Sequence, residues 1–143
     1  MRLTAREKDS VMFERLLKIN DACFALDERA SREKLLEHFR SDDIFVDYVL
    51  TPGAFAFVTE RGGPYLMIIA VHESLRGMGI ARRLVQEILD FYTLGSEPYI
   101  QLTCKIDNVL AQVLYLKSGF QVVRVIPKYY GETDGVMYRR ILC

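Results

Sequence analysis

The 143-residue sequence has no apolar run approaching 18 residues, and its charged opening, MRLTAREKDS, lacks the apolar segment of a secretory leader. Those absences exclude a helical membrane span and point to a soluble, cytoplasmic protein. Net charge is missing too: 19 Lys and Arg are cancelled by 19 Asp and Glu. A dedicated nucleic-acid binder uses a domain-wide basic field, and none is available here. The three cysteines, Cys23, Cys104 and Cys143, are odd in number and show no metal-ligand spacing, so reduced thiols are expected. Neither His38 nor His72 has a partner at ligand spacing, and no metal site is expected. Repeats, low-complexity tracts and linkers are absent as well. The length fits one domain over residues 1–143, large enough to bury roughly 70% of the surface of its unfolded chain.

What is present is an alternation of strand and helix patterns. MRLTARE reads as a first strand, and Ser10 to about Phe24 as a helix with an apolar stripe at Val11, Phe13, Leu16, Leu17 and Ile19. Ser31 opens a second helix, with an acidic residue placed as in a capping box. IFVDYVL and AFAFVTE, separated by Thr51-Pro52-Gly53, form a hairpin. YLMIIAV is too continuously apolar for a half-exposed strand and is expected at the centre of the sheet. A helix follows over Ile80 to Tyr92, then a strand at YIQLTCK, a helix at NVLAQVLYLKSG and two strands at FQVVRVI and VMYRRIL. The order describes one α/β (α+β) domain around a mixed sheet.

The stretch from Ser74 to Leu89, SLRGMGIARRLVQEIL, places two glycines immediately before a helix. A helix N-terminus presents unpaired N–H groups and about half a positive charge, so it binds anions when the backbone can come close. Gly77 and Gly79 remove obstructing side chains, while Arg76, Arg82 and Arg83 add donors. A diphosphate cradle is one reading and a tight strand-to-helix turn is the other. A P-loop would need Gly-Lys-Ser/Thr, and the dinucleotide fingerprint would need glycine where Arg82 stands, so both are excluded. Further on, Asn108, Ala111 and Tyr115 share one helix face, with Ala111 leaving room for a slender chain between an amide and a phenol. Asn108 is equally suited to cap that helix.

These residues carry a family resemblance. Arg76, Gly79 and Ala81 match Arg/Gln-x-x-Gly-x-Gly/Ala, the acetyl-CoA signature of the GNAT superfamily of N-acetyltransferases, and IIAVHESLRGMGIARRLV resembles its strand, bulge and helix. LTCKIDNVLAQVLYLKSGF is similar to a later segment of the same family, with Gly119-Phe120 at the expected offset. The resemblance covers nearly the whole chain. It implies the GNAT fold: a mostly antiparallel sheet of about six to seven strands, about four flanking helices, and splayed fourth and fifth strands. It implies acetyl-CoA bound by backbone groups of Ile69 and Val71, by Arg76, Gly77, Met78, Gly79, Ile80, Ala81 and Arg82, and by Asn108, Ala111 and Tyr115. Homodimers formed through the C-terminal strands are common in that family.

The implied chemistry is direct attack of a primary amine on the thioester, with Tyr115 as general acid toward the departing sulfur. The base is less defined. Where related N-terminal acetyltransferases often carry Glu or His, this chain has Thr103, leaving Glu73, His72, Glu28 or a water chain. Freeing an α-amine at pH 7 costs about 1.4 kcal/mol and a lysine about 4.6 kcal/mol, so a site without a strong base suits an α-amine better. PKYYGETDGVMYRRIL resembles the C-terminal segment of ribosomal-protein alanine N-acetyltransferases, where paired tyrosines wall the peptide site. Tyr129, Tyr130 and Glu28 are the matching acceptor-side candidates, with an aromatic hairpin packed on the core as the alternative for the tyrosines. The expected acceptor is a protein or peptide N-terminus. The alternatives are a small-molecule amine acceptor and a catalytically silent acyl-CoA-binding module.

Overall fold

The computed structural model describes residues 2–3, 7–23, 32–41, 43–47, 53–60, 62–71, 77 and 79–142. Among them the chain order is α1 (Ser10–Cys23), α2 (Arg32–Ser41), β1 (Asp43–Asp47), β2 (Ala54–Thr59), β3 (Tyr65–Val71), α3 (Ile80–Thr93), β4 (Tyr99–Lys105), α4 (Val109–Lys117), β5 (Gln121–Tyr130) and β6 (Thr133–Ile141). The six strands form one sheet in the order β1-β2-β3-β4-β6-β5. Every neighbouring pair is antiparallel except β3 with β4. The expected first strand is reduced to an isolated bridge at Arg2, with residues 4–6 outside the described set. The strands expected fourth and fifth are therefore β3 and β4 in this numbering.

Each face of the sheet carries its own core. α3 buries Ile80, Leu84, Val85, Ile88, Leu89 and Tyr92, a helical repeat that lays one side of it across β1 to β3. α4 adds Tyr115, whose ring lies 6.1 Å from that of Tyr138 on β6. On the opposite face, Phe13, Leu16 and Ile19 of α1 and Leu35 and Phe39 of α2 cover β2 and β3. β2 shows why two layers form: Ala54, Ala56 and Val58 point into the first core, Phe55 and Phe57 into the second, and all five are fully buried. No helix of the described residues is long and apolar enough to cross a membrane.

β3 is central, as its composition requires, but it is not uniformly buried. Val58 pairs with Leu66 and Phe57 with Ile68, so Met67 is an extra residue in β3, a β-bulge, and it is 43% exposed. The bulge switches the strand's faces. Leu66 lies in the first core, whereas Ile68 and Ala70 turn to the second and Ile69 and Val71 back to the first. An unbroken apolar run conceals such a step, because every residue in it is compatible with either face.

α4 departs from an amphipathic pattern. Opposite its buried side, Val109, Val113 and Leu116 stand exposed. Asn108 is its N-cap, accepting the Ala111 N–H at 3.1 Å.

Candidate active site

The site follows from the bulge. β3 and β4 pair only at Tyr65 with Gln101 and Leu66 with Leu102. Bulges bend and twist the strand that carries them, and beyond Met67 the two strands separate. Between Met67–Ala70 on one side and Thr103–Cys104 on the other there is no β3–β4 pairing among the described residues. Open edges inside a sheet offer backbone donors and acceptors to an elongated ligand. Ile69 and Val71 line the β3 side, half-buried against the first core.

At the carboxyl end of β3 lies the start of α3. Gly79 is its N-cap, left-handed at φ 75° and ψ 12°, and supplies no side-chain acceptor to the first turn. Gly77 is left-handed as well, at φ 81°, and a β-carbon at either glycine would meet nothing within 4 Å. Glycine here serves backbone conformation, since no packing neighbour among the described residues demands it. The orphan N–H groups of Ile80, Ala81 and Arg82 follow, with Ala81 half-buried and Arg82 exposed. Arg76, Met78, His72, Glu73 and Glu28 lie outside the described residues.

Tyr115 of α4 sits in the first core, within electrostatic reach of Cys104 on β4 and Tyr130 on β5. It is 5% exposed, and among the described residues its hydroxyl has no hydrogen-bond partner. Burial, with smaller contributions from Cys104 and Tyr130, raises its pKa well above the ordinary 10.0, so the phenol stays protonated. Burial pushes the Cys104 thiol up to about 11, which leaves it a poor nucleophile near neutral pH. Asn108, Ala111 and Tyr115 do fall on one side of α4, and the Asn108 carbonyl oxygen is committed to the cap.

The Cys104 shift carries a stability consequence. Its folded pKa lies above the unfolded value of 9.0, so its stabilising contribution is whole below about pH 9 and is lost as pH rises toward about 11. Thermal melts are expected to be flat to about pH 8.5 and to fall above it, with Cys104→Ala showing a shallower alkaline fall than the parent. Parallel alkaline slopes for the two proteins overturn this attribution.

The opposite side of the gap is lined with hydroxyls. Thr103 is the first β4 residue beyond the last pair with β3, and its Oγ1 shares a short hydrogen bond with Tyr65 Oη. Tyr130 Oη donates to the Thr103 carbonyl at 3.0 Å, and Tyr129 stacks edge-on against Tyr130 with centroids 4.9 Å apart. Tyr65 is raised by burial, opposed by its Thr103 hydrogen bond and reinforced by Tyr129. Tyr129 and Tyr130 are 51% and 38% exposed and lie outside both buried clusters. Tyr65 is the residue the sequence reading missed. Its one signal was a lone phenol opening an otherwise aliphatic strand. No cluster of His, Cys, Asp and Glu suited to a metal occurs among the described residues.

Comparison with known proteins agrees with this architecture. The profile described as "Acetyltransferase (GNAT) domain" matches residues 36–122. The N-alpha-acetyltransferase RimI of Mycobacterium tuberculosis is 40% identical over 70 residues, 49% of this chain and 42% of that protein. The curated relatives are matched over 20% to 53% of their own lengths. The crystal structure of the ribosomal-protein-S18-alanine N-acetyltransferase from Escherichia coli superposes with a TM-score of 0.83 at 18% identity, covering 94% of this chain and 90% of that one. The NatC complex bound to Gag peptide and CoA contains a chain with a TM-score of 0.80 at 23% identity, covering 100% and 97%.

Proposed function

The chain belongs to the GNAT acetyltransferase family, whose members are acyltransferases using acetyl-CoA, and from that premise we propose that it acetylates the α-amine of a protein or peptide by direct transfer. The observations that carry the reading are the start of α3 without a side-chain cap, the parting of β3 and β4 after Leu66, and a protonated Tyr115 phenol within electrostatic reach of Cys104 on β4. Acetyl-CoA supplies an activated acyl thioester. The open glycine turn fits its diphosphate: Gly77, Gly79, Ile80, Ala81 and Arg82 would hold that end. The gap edge at Ile69 and Val71 supplies backbone groups for the pantetheine and the acyl carbonyl, where preorganised N–H donors stabilise developing charge. Ala111 leaves space beside them, and the Asn108 amide nitrogen is a donor on the same helix side with no partner among the described residues.

Tyr115 holds a proton at Oη for the sulfur end. Cys104, held as a thiol, does not compete as an acyl acceptor, which favours direct transfer over a covalent enzyme intermediate. On the other side, Tyr65, Thr103, Tyr129 and Tyr130 offer hydroxyls to an amine and its neighbouring peptide group. None of the raised groups Tyr65, Cys104, Tyr115 and Tyr130 is a base near neutral pH, and an α-amine needs the least help to lose its proton. Likeness to an N-alpha-acetyltransferase over 70 residues supports the same acceptor class. Self-association belongs to this reading as well: β5 is an outer strand with Val122, Val123 and Val125 exposed.

The test is incubation with acetyl-CoA and peptides beginning with Ala, Ser or Met, beside α-blocked peptides and small amines, following thiol release and product mass. Release is expected only with free α-amines. Preference for small amines replaces the acceptor class, and tight CoA binding without turnover on any acceptor identifies a silent binding module.

A further inference from the structure

Gly135 differs from the glycines of the α3 turn. Its backbone is not left-handed, so conformation does not call for glycine. Space does. A β-carbon there would lie 2.9 Å from Tyr129 Cβ, 3.1 Å from Tyr129 Cδ1 and 3.1 Å from Thr103 Cγ2. Two of those three atoms are Cβ or Cγ2, fixed close to the backbone, so a side chain at 135 cannot be accommodated by swinging a flexible tip.

The strand register explains the crowding. Ile126 faces Gly135 and Tyr130 faces Thr133, so Pro127, Lys128 and Tyr129 of β5 stand against Asp134 alone. Lys128 is left-handed at φ 54°, and its N–H donates to Asp134 Oδ1 at 2.9 Å. This irregularity folds the chain back and brings Tyr129 down over Gly135, beside Thr103 and within electrostatic reach of Tyr65. Tyr130 then meets both its hydrogen bond to the Thr103 carbonyl and its edge contact with Tyr129.

We propose that Gly135 is a positioning residue for acceptor selectivity: its missing side chain seats Tyr129 against Thr103 and closes the hydroxyl wall of the amine side. The proposal rests on the reading of Tyr129 as an acceptor-side residue. A β-branched residue suits a strand and would leave the backbone of β6 in place. It would push Tyr129 outward, widening the acceptor side without touching the diphosphate end or Tyr115.

The experiment compares Gly135→Ala, Gly135→Val, Tyr129→Gly and the double variant Tyr129→Gly/Gly135→Val, using acetyl-CoA and the best-turned-over peptide of the panel above, with a crystal structure of Gly135→Val. Glycine is used at 129 because alanine would keep the Cβ that lies 2.9 Å from a side chain at 135. Acceptor KM is expected to rise in the order parent, Ala, Val, reaching about tenfold, while acetyl-CoA KM stays within about twofold. The Tyr129 ring is expected to leave Thr103, and the double variant to match Tyr129→Gly alone, because the displaced side chain is then absent. Additive effects, or a Tyr129 ring unmoved in Gly135→Val, overturn the proposal. An unchanged acceptor KM in Tyr129→Gly, with the ring displaced in Gly135→Val, overturns the acceptor-side reading of Tyr129 instead. If Gly135→Val does not fold, the double variant still decides: folding restored with Tyr129→Gly supports the steric pairing, and folding not restored overturns it.

Discussion

Replacing Tyr115 with phenylalanine is expected to lower kcat about 100-fold while acetyl-CoA affinity stays within about threefold of the parent. The hydroxyl has no hydrogen-bond partner among the described residues, so its removal orphans none of them, and the ring keeps its contacts with Phe120 and Tyr138. Stability should therefore be unchanged. Burial raises the phenol above its usual range, making it a weaker acid than a thiol of pKa about 8.5. Full proton transfer to a departing thiolate is then uphill, and the main contribution is a hydrogen bond to developing negative charge in a low-dielectric site. Such a bond acts at the transition state, so its loss appears in kcat. Steady-state kinetics with both substrates varied, beside acetyl-CoA titration, separate the terms, and equal kcat values for variant and parent end the assignment.

Gly79→Glu is expected to weaken acetyl-CoA binding at least about 100-fold, or about 2.7 kcal/mol. Two unit charges 4 Å apart repel by about 4 kcal/mol at an effective dielectric of 20, so one carboxylate against a diphosphate suffices. The left-handed backbone at φ 75° adds strain for any residue with a β-carbon, on the order of 1–2 kcal/mol. Gly79→Ala separates the two effects, because a β-carbon there meets nothing within 4 Å and alanine carries the strain without the charge. Both variants should melt at similarly lowered temperatures. Only the glutamate should lose the ligand in calorimetric titration, and equal affinities for Ala and Glu remove the phosphate role from this turn.

The parts legible in the sequence were those encoded by local period and local chemistry. YIQLTCK is β4 residue for residue, because its strict alternation admits only one placement of the inward side chains. The α3 repeat and its glycine entry were equally plain, as was the Asn108 cap. YLMIIAV was placed correctly as a central strand, yet the bulge at Met67 was hidden in it, and with the bulge the point at which β3 and β4 part. α4 shows the converse failure: a helix apolar on nearly every side gives no signal of which residues face the core.

The sequence by itself determined the alternation of elements, the glycine turn that opens α3 and the shared helix side of Asn108, Ala111 and Tyr115, because each depends on residues within a few turns or strand positions of one another. The tertiary structure alone decided that Tyr65, 38 positions before Thr103, shares a hydrogen bond with it, and that Gly135 makes room for Tyr129. Those contacts depend on strand order, register and a bulge. A pairing between distant segments is fixed only when the whole sheet buries its two cores together, and no local pattern encodes it.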